Sequence, residues 1–215
     1  MNCQRAIKRA IDVTVASLAI VVLSPVMLFL AAAIWLRLGW PVLFCQRRPG
    51  LHGRPFWLVK FRTMRDARDR QGRRLPDAER LTRLGRILRS TSLDELPELL
   101  NVLRGEMSLV GPRPLLMEYL DRYTPRQARR HEVKPGMTGW AQVHGRNAIG
   151  WHRRLALDAW YARHWSVLLD CRILLLTVVA VLGRRGVRAP GHATMPEFMG
   201  SRPKARSRPT SHAGV

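Results

Sequence analysis

Acidic side chains and cysteines are scarce in this chain. Its 215 residues hold 15 Asp+Glu against 37 Lys+Arg, a formal net charge of +22 at pH 7. So lopsided a balance points to a polyanion as partner: nucleic acid, an acidic membrane surface or phosphorylated substrates. The cysteines, Cys3, Cys45 and Cys171, form no close pair. That excludes a disulfide scaffold and a CxxC zinc ribbon, and fits a reducing compartment. The histidines make no HExxH or HxxxH pattern, so no zinc site is read from them, and GxxxxGK[ST], GxGxxG and DxD are also missing. There is no internal repeat. What is abundant is apolar character, 47% of the chain. It excludes wholesale disorder, and the length suits one domain of ordinary size with a real core or a smaller domain plus extras.

Part of that character is concentrated. Val13–Leu36 is a run of 24 residues without a formal charge, and a straight helix of that length covers about 36 Å, enough to cross a bilayer core. A buried core helix is usually shorter. A secretory signal, suggested by Arg5, Lys8 and Arg9 ahead of Ala31-Ala32-Ala33, has a shorter apolar region. Membrane insertion is therefore expected. Pro25 lies near the middle, lacks an N–H and crowds the Val21 carbonyl, which predicts a kink that Ser24 can help satisfy. Cations stand on both flanks: Arg5, Lys8 and Arg9 before, Arg37, Arg47 and Arg48 after. The bias of basic residues towards the cytoplasm favours both ends on that side, against a simple kinked span. A second apolar run, Ile173–Leu182, is too short to span. Close behind Trp160 and Trp165, it suits an interfacial helix or a plain core helix.

In the polar body, Pro41–Arg47 and Phe56–Arg62 read as two strands joined by a turn near Pro49-Gly50 and His52-Gly53. Alternation sets Trp57, Val59 and Phe61 on one face, Lys60 and Arg62 on the other. Two cations at a strand end can grip a phosphate or merely protect a solvated edge. After a charged loop, Asp66–Arg80, the residues Leu81, Leu84 and Leu88 line a helix face. Arg80, Arg83, Arg86 and Arg89 wind around that helix and suit anionic headgroups. Ser92-Leu93-Asp94-Glu95 fits a capping box opening a helix over Asp94–Leu103, with Pro97 tolerated in its first turns. It also offers two adjacent carboxylates near a helix N-terminus, one to attack phosphorus and one to hold a metal ion; Mg²⁺ habitually combines one carboxylate with substrate phosphates. In Gly111-Pro112-Arg113-Pro114 the two prolines hold Arg113 extended, so that its guanidinium fork loses little entropy on meeting phosphate; a rigid hinge is the alternative. Lys134-Pro135-Gly136-Met137-Thr138-Gly139-Trp140 is a turn cluster leading into a short strand, Ala141–Val143. From residue 188 onwards the chain is rich in Pro, Arg, Ser and His, has no apolar period and reads as a disordered basic tail.

Taken in order, several of these stretches stop being anonymous. They are Ser24-Pro25 in a basic-flanked apolar segment; Lys60-Phe61-Arg62-Thr63-Met64; Arg89-Ser90-Thr91-Ser92-Leu93-Asp94-Glu95-Leu96-Pro97; Asn101-Val102-Leu103; Met107 to Pro114; and Lys134 to Gln142. Together, over Arg5 to Gly183, they closely resemble the bacterial sugar transferases, the monotopic polyprenyl-phosphate phosphoglycosyl transferases in their minimal form. The resemblance implies transfer of a sugar-1-phosphate from a UDP-sugar to undecaprenyl phosphate, with release of UMP, to start a surface glycan. It implies Asp94 as nucleophile, Glu95 as Mg²⁺ ligand, Arg89 and Arg113 as phosphate-binding groups, and Ser24-Pro25 as the break of a re-entrant helix. Lys60 and Arg62 fall in a family motif and are assigned to the substrate phosphates as a pair. Two positions depart from the family pattern, neither in the dyad: His144 replaces an asparagine and Arg163 an acidic residue.

The expected architecture is mostly α with a small β-hairpin. Residues 1–38 form a re-entrant membrane helix, 39–187 a cytoplasmic catalytic domain lying on the membrane through interfacial amphipathic helices, and 188–215 the tail. The expected location is the cytoplasmic face of a bacterial inner membrane with anionic lipids, with self-association left open. A membrane-tethered basic protein binding nucleic acid or anionic lipid is the competing class. The net charge suits it, but the ordered motifs and the Pro-centred helix do not, and nucleic acid is not an expected partner.

Overall fold

The uncharged run forms a helix that extends beyond both of its ends. In the computed structural model, which describes residues 2–145, 148–182 and 197–200, α1 covers Asn2–Leu38. Strands β1 (Leu43–Pro49) and β2 (Pro55–Phe61) follow as an antiparallel hairpin closed by a 3₁₀ turn at Leu51–Gly53. Then come α2 (Asp77–Arg80), α3 (Arg83–Thr91), a 3₁₀ turn at Leu93–Glu95, α4 (Glu98–Arg104) and β3 (Ser108–Val110). A 3₁₀ segment at Met117–Arg122, α5 (Pro125–Ala128) and a 3₁₀ turn at Arg129–Glu132 lead to β4 (Gly136–Thr138). The order closes with α6 (Trp140–Val143), α7 (Trp151–His164) and α8 (Val167–Leu182). The expectation of mostly helix with small sheets and one long apolar helix is met.

Helix α1 continues unbroken through Pro25. The Val21 carbonyl, which Pro25 cannot serve for want of an N–H, accepts the Ser24 hydroxyl at 2.8 Å. The break expected at Ser24-Pro25 is thus not a break in the helix, because the neighbouring side chain supplies the missing donor. One stripe of α1 (Asp12, Ala16, Leu30 and Ile34) is buried, while Leu18, Val21, Val22, Leu28, Phe29 and Leu36 stay exposed. The i, i+4 spacing within each pair is that of a helix docked along one face.

Both ends of α1 are tied to the same body. Near its start, Lys8 donates to the Val110 carbonyl and pairs with Asp170, and Arg9 donates to the Val102 and Leu103 carbonyls at 2.6 and 2.7 Å, satisfying the end of α4. Buried Asp12 accepts from the Ser108 hydroxyl and the Leu109 N–H. Near its end, Leu30 and Ile34 pack with Val42, Phe61 and Leu88, and Arg62 donates to the Leu38 and Gly39 carbonyls. The larger core lies between, where Ala16 meets Phe56 and Leu58 of β2, Leu99 and Val102 of α4, Met107, Tyr161 and Ile173.

Four local expectations are corrected. Ser92 sits in the left-handed region (φ 59°) as the C-terminal cap of α3 and makes no side-chain cap. The dyad therefore lies in a 3₁₀ turn, and the helix starts at Glu98 rather than Asp94, one residue beyond Pro97. The strand expected over Ala141–Val143 is a helical turn, and the strand comes earlier, at Gly136–Thr138, in parallel with β3. Parallel pairing of two three-residue strands leaves no alternation long enough to read from sequence. Of the residues on the Trp57, Val59 and Phe61 face, Trp57 is exposed while the other two are buried. Finally, Glu197–Gly200, inside the expected disordered tail, is ordered against the body with Phe198 buried; one aromatic side chain gives this stretch an anchor. The rest of the expected tail, 188–196 and 201–215, lies outside the described residues.

Helix α8 buries Ile173 and exposes Leu168, Leu175, Val178 and Val179. Its outward face is therefore largely apolar, like that of α1, with exposed Arg172 as a charge upon it.

Candidate active site

The site is assembled where the end of β2, the turn before α4 and the Gly111–Pro114 loop converge. The strand and the loop are fixed by different devices. Strand β2 has its free edge hydrogen-bonded to one fully buried side chain: Asn101 of α4 donates to the Trp57 carbonyl at 2.7 Å and accepts the Val59 N–H at 3.1 Å. The Arg113 loop is fixed by glycines. A Cβ on Gly111 would sit 2.3 Å from the Lys134 carbonyl oxygen, one on Gly136 2.0 Å from the Gly111 nitrogen, and one on Gly139 2.1 Å from the Gly111 oxygen. No side chain fits between these backbones, which is the physical content of the Gly111-Pro112 and Pro135-Gly136 motifs. The Gly111 N–H bonds the Thr138 carbonyl and the Gly136 N–H bonds the Pro112 carbonyl, locking the loop to β4.

On this frame Lys60 and Arg113 converge on Glu95. Arg113 donates to both carboxylate oxygens of Glu95, and Lys60 Nζ lies 3.0 Å from Oε1. Lys60 also reaches Glu98 Oε1 at 2.8 Å. Burial raises the Glu95 pKa, but the Arg113 and Lys60 charges and their hydrogen bonds outweigh it, and the carboxyl is held well below the usual range. Glu98 goes the other way. Burial pushes it up to about 7, with Lys60 opposing and the Glu95 charge adding. One ammonium shared by two carboxylates, only one of which also has a guanidinium, separates their titrations.

Asp94 differs from both. It is 8% exposed, yet among the described residues its carboxylate has no hydrogen-bond donor and no ion pair. Burial and the adjacent Glu95 charge raise its pKa, while Lys60, Arg113 and Arg89 pull it back. A partly desolvated carboxylate with unengaged lone pairs is suited to attack an electrophile.

Of the residues singled out from sequence, Asp94, Glu95, Lys60 and Arg113 are brought together. Arg89 is near enough for its charge to act on Asp94, and its Nε is tethered to the Thr63 hydroxyl at 3.1 Å. Arg62 is not brought in: it is spent on the last carbonyls of α1, so the pair of cations expected at the strand end divides between two tasks. Ser24 and Pro25 lie in α1, away from this cluster. Glu98 was missed by sequence reading, although a third acid one helical turn after Glu95, in so acid-poor a chain, was the available signal. Arg48, read only as a flanking cation, is half-buried within electrostatic reach of Arg113 and Glu98, and burial lowers its pKa to about 10.

Behind Arg113, buried Arg130 donates to the Arg113 carbonyl at 2.6 Å and pairs with Asp158 at 2.8 Å. Neither residue carried a motif. As for metal binding, no three His, Cys, Asp or Glu side chains group into a ready-made cage among the described residues. Asp94 and Glu95 would instead suit a cation that completes its shell on substrate oxygens, since Asp94 is unengaged and Glu95 Oε2 accepts only from Arg113.

The family model for bacterial sugar transferases matches residues 3–184, and the chain belongs to this family. It is 56% identical over 195 residues to a Bacillus subtilis protein named as the uncharacterized sugar transferase EpsL, covering 91% of this chain and 96% of that one. It is 44% identical over 187 residues to the UDP-glucose:undecaprenyl-phosphate glucose-1-phosphate transferase of Caulobacter vibrioides, covering 81% and 69%. It is also 44% identical to the undecaprenyl-phosphate glucose phosphotransferase of Komagataeibacter xylinus, where 80% of this chain matches 35% of a longer protein.

Proposed function

We propose that the chain transfers a sugar-1-phosphate from a UDP-sugar to undecaprenyl phosphate, releasing UMP, through a covalent intermediate on Asp94. The observation that carries this reading is the inequality inside the dyad: Asp94 is buried and unengaged, while Glu95 is held anionic by Arg113 and Lys60. A carboxylate oxygen of Asp94 attacks the sugar-bearing β-phosphorus, the bond from that phosphorus to the bridging oxygen breaks, and UMP leaves. A phosphate oxygen of undecaprenyl phosphate then attacks the same phosphorus, the acyl–phosphorus bond breaks, and the Asp94 carboxylate returns unchanged. Arg113, Lys60 and Arg89 offset the charge on the diphosphate and on the phosphorane-like transition state. The Pro112–Pro114 loop holds the Arg113 backbone in place before substrate arrives. Mg²⁺, held through Glu95 together with the diphosphate, would supply Lewis-acid neutralisation of the leaving UMP.

The reading extends to the membrane. Among the described residues one helix is long and apolar enough to cross a bilayer, but its two ends bind one body, Lys8 and Arg9 at the start and Arg62 at the end. This supports a re-entrant arrangement in which both ends of α1 stay on the cytoplasmic side and the outward apolar faces of α1 and α8 enter one leaflet. Exposed Arg83 and Arg86 of α3 suit anionic headgroups at that surface.

The deciding assay supplies purified protein with undecaprenyl phosphate, Mg²⁺ and a panel of UDP-sugars and reads UMP. Release with at least one sugar is expected. Release with none, alongside DNA binding that falls steeply with salt, would favour the polyanion-binding class.

A further inference from the structure

The Arg113 loop is connected, contact by contact, to a segment far along the chain. Phe198 is 3% exposed and lies in a box of rings: centroids 5.6 Å from Tyr119, 5.7 Å from Tyr123 with near-parallel planes, and 5.4 Å from Trp151. Leu115 and Leu155 complete the cluster. The backbone of the segment is held as well. The Phe198 N–H donates to the Tyr119 hydroxyl at 3.2 Å, and Arg122 donates to the Phe198 carbonyl and to Glu197 Oε1, each at 2.6 Å. Tyr123, stacked on Phe198, accepts from Arg130 at 3.4 Å, and Arg130 donates to the Arg113 carbonyl. Arg113 grips Glu95.

We propose that the Glu197–Gly200 segment is an intramolecular clip whose anchor, Phe198, is a positioning residue: seated among Tyr119, Tyr123 and Trp151, it sets Arg130, and through Arg130 the backbone of Arg113. The physical warrant is steric. Removing a buried ring from a stacked box lets Tyr123 move, and its hydroxyl is, with Asp158 and the Arg113 carbonyl, one of the three hydrogen-bond partners of the Arg130 guanidinium among the described residues. Arg113 has little tolerance for such a shift, because its task is a fixed two-oxygen grip on Glu95. Displacing the seated clip would therefore change the geometry at Glu95 without touching substrate. The catalytic consequence rests on the proposed transferase reaction; the mechanical one does not.

The experiment uses the full chain in lipid nanodiscs, as wild type, Phe198→Ala and Phe198→Trp. Two readouts are taken: amide hydrogen exchange, and kcat and KM for UMP release. In Phe198→Ala, exchange is expected to quicken at Tyr119–Tyr123 and also at the Gly111 and Gly136 amides, which lock the Arg113 loop to β4. kcat should fall roughly tenfold with KM for undecaprenyl phosphate unchanged. Phe198→Trp should restore both. Faster exchange confined to Tyr119–Tyr123, or an unchanged kcat in Phe198→Ala, overturns the proposal. If the wild type releases no UMP from any UDP-sugar, the transferase reading fails, and the exchange at Gly111 and Gly136 still decides whether the clip sets the loop.

Discussion

Arg113 donates to both carboxylate oxygens of Glu95 and to neither oxygen of Asp94, the residue before it in the chain. Adjacent acids would ordinarily compete for one cation. Here both sit in the 3₁₀ turn at Leu93–Glu95, and the prolines on either side of Arg113 restrict the backbone from which its fork reaches Glu95 alone. The outcome is a division of labour written into the backbone: one carboxylate held as an anion, the other left open.

Arg113→Lys tests that division. A lysine keeps the charge but cannot make the two-oxygen fork. Turnover is expected to fall by roughly a hundredfold, consistent with the cost of a misplaced catalytic geometry, while the circular dichroism spectrum is unchanged. Near-normal turnover in this variant would mean that charge alone suffices and that the fork geometry is incidental.

Glu98 gives a pH signature. Its carboxyl is raised from 4.5 to about 7 in the folded chain, chiefly by burial. The folded state therefore binds more protons than the unfolded state between those values. The sign follows: this residue's contribution makes stability fall as pH rises from about 4.5 to about 7, with no further change above. Glu98→Gln, which cannot ionise, should remove that component. Thermal unfolding measured across pH 5 to 8 is expected to show a flatter profile for the variant, and identical slopes for the two proteins would count against it.

Much of the frame is legible in the sequence. The β-hairpin and the long apolar helix could be read because alternation and an uncharged run carry them. Asp94, Glu95 and Arg113 were legible through the resemblance of their two motifs to the bacterial sugar transferases, since local pattern also allowed a helix cap and a rigid hinge. The parts that were not legible depend on distant partners. Ser92 looked like a helix cap until its left-handed backbone ended α3 instead. Arg62 looked like a phosphate ligand until the carbonyls of Leu38, the last residue of α1, and of Gly39 just beyond it claimed it, 24 and 23 positions away in sequence. Lys8 and Arg9 looked like membrane flank, yet with Asp12, which carried no signal, they bind the ends of α4 and β3 across about 90 to 100 positions. Phe198 was hidden in a polar tail whose composition argued for disorder.

That docking of the α1 start leads to a topological expectation. With Lys8, Arg9 and Asp12 bound to the body, residue 2 belongs on the same side of the membrane as the site. A cysteine at Asn2, in a background without Cys3, should resist an impermeant thiol reagent in intact cells and label only once the cells are opened. Replacing Ser24 and Pro25 by Ala and Leu removes the hydroxyl and the proline together and should shift part of the population to labelling in intact cells. Full labelling of the otherwise wild-type chain in intact cells would leave a simple span.

The decisive measurement is the mass of the intact protein after incubation with a UDP-sugar and Mg²⁺ when undecaprenyl phosphate is withheld. If Asp94 is the nucleophile, the chain gains the mass of one phosphosugar, peptide mapping finds it on Asp94, adding undecaprenyl phosphate discharges it, and Asp94→Asn gains nothing while keeping its fold. UMP release by Asp94→Asn at the wild-type rate, with no adduct on either protein, would contradict covalent transfer through this carboxylate.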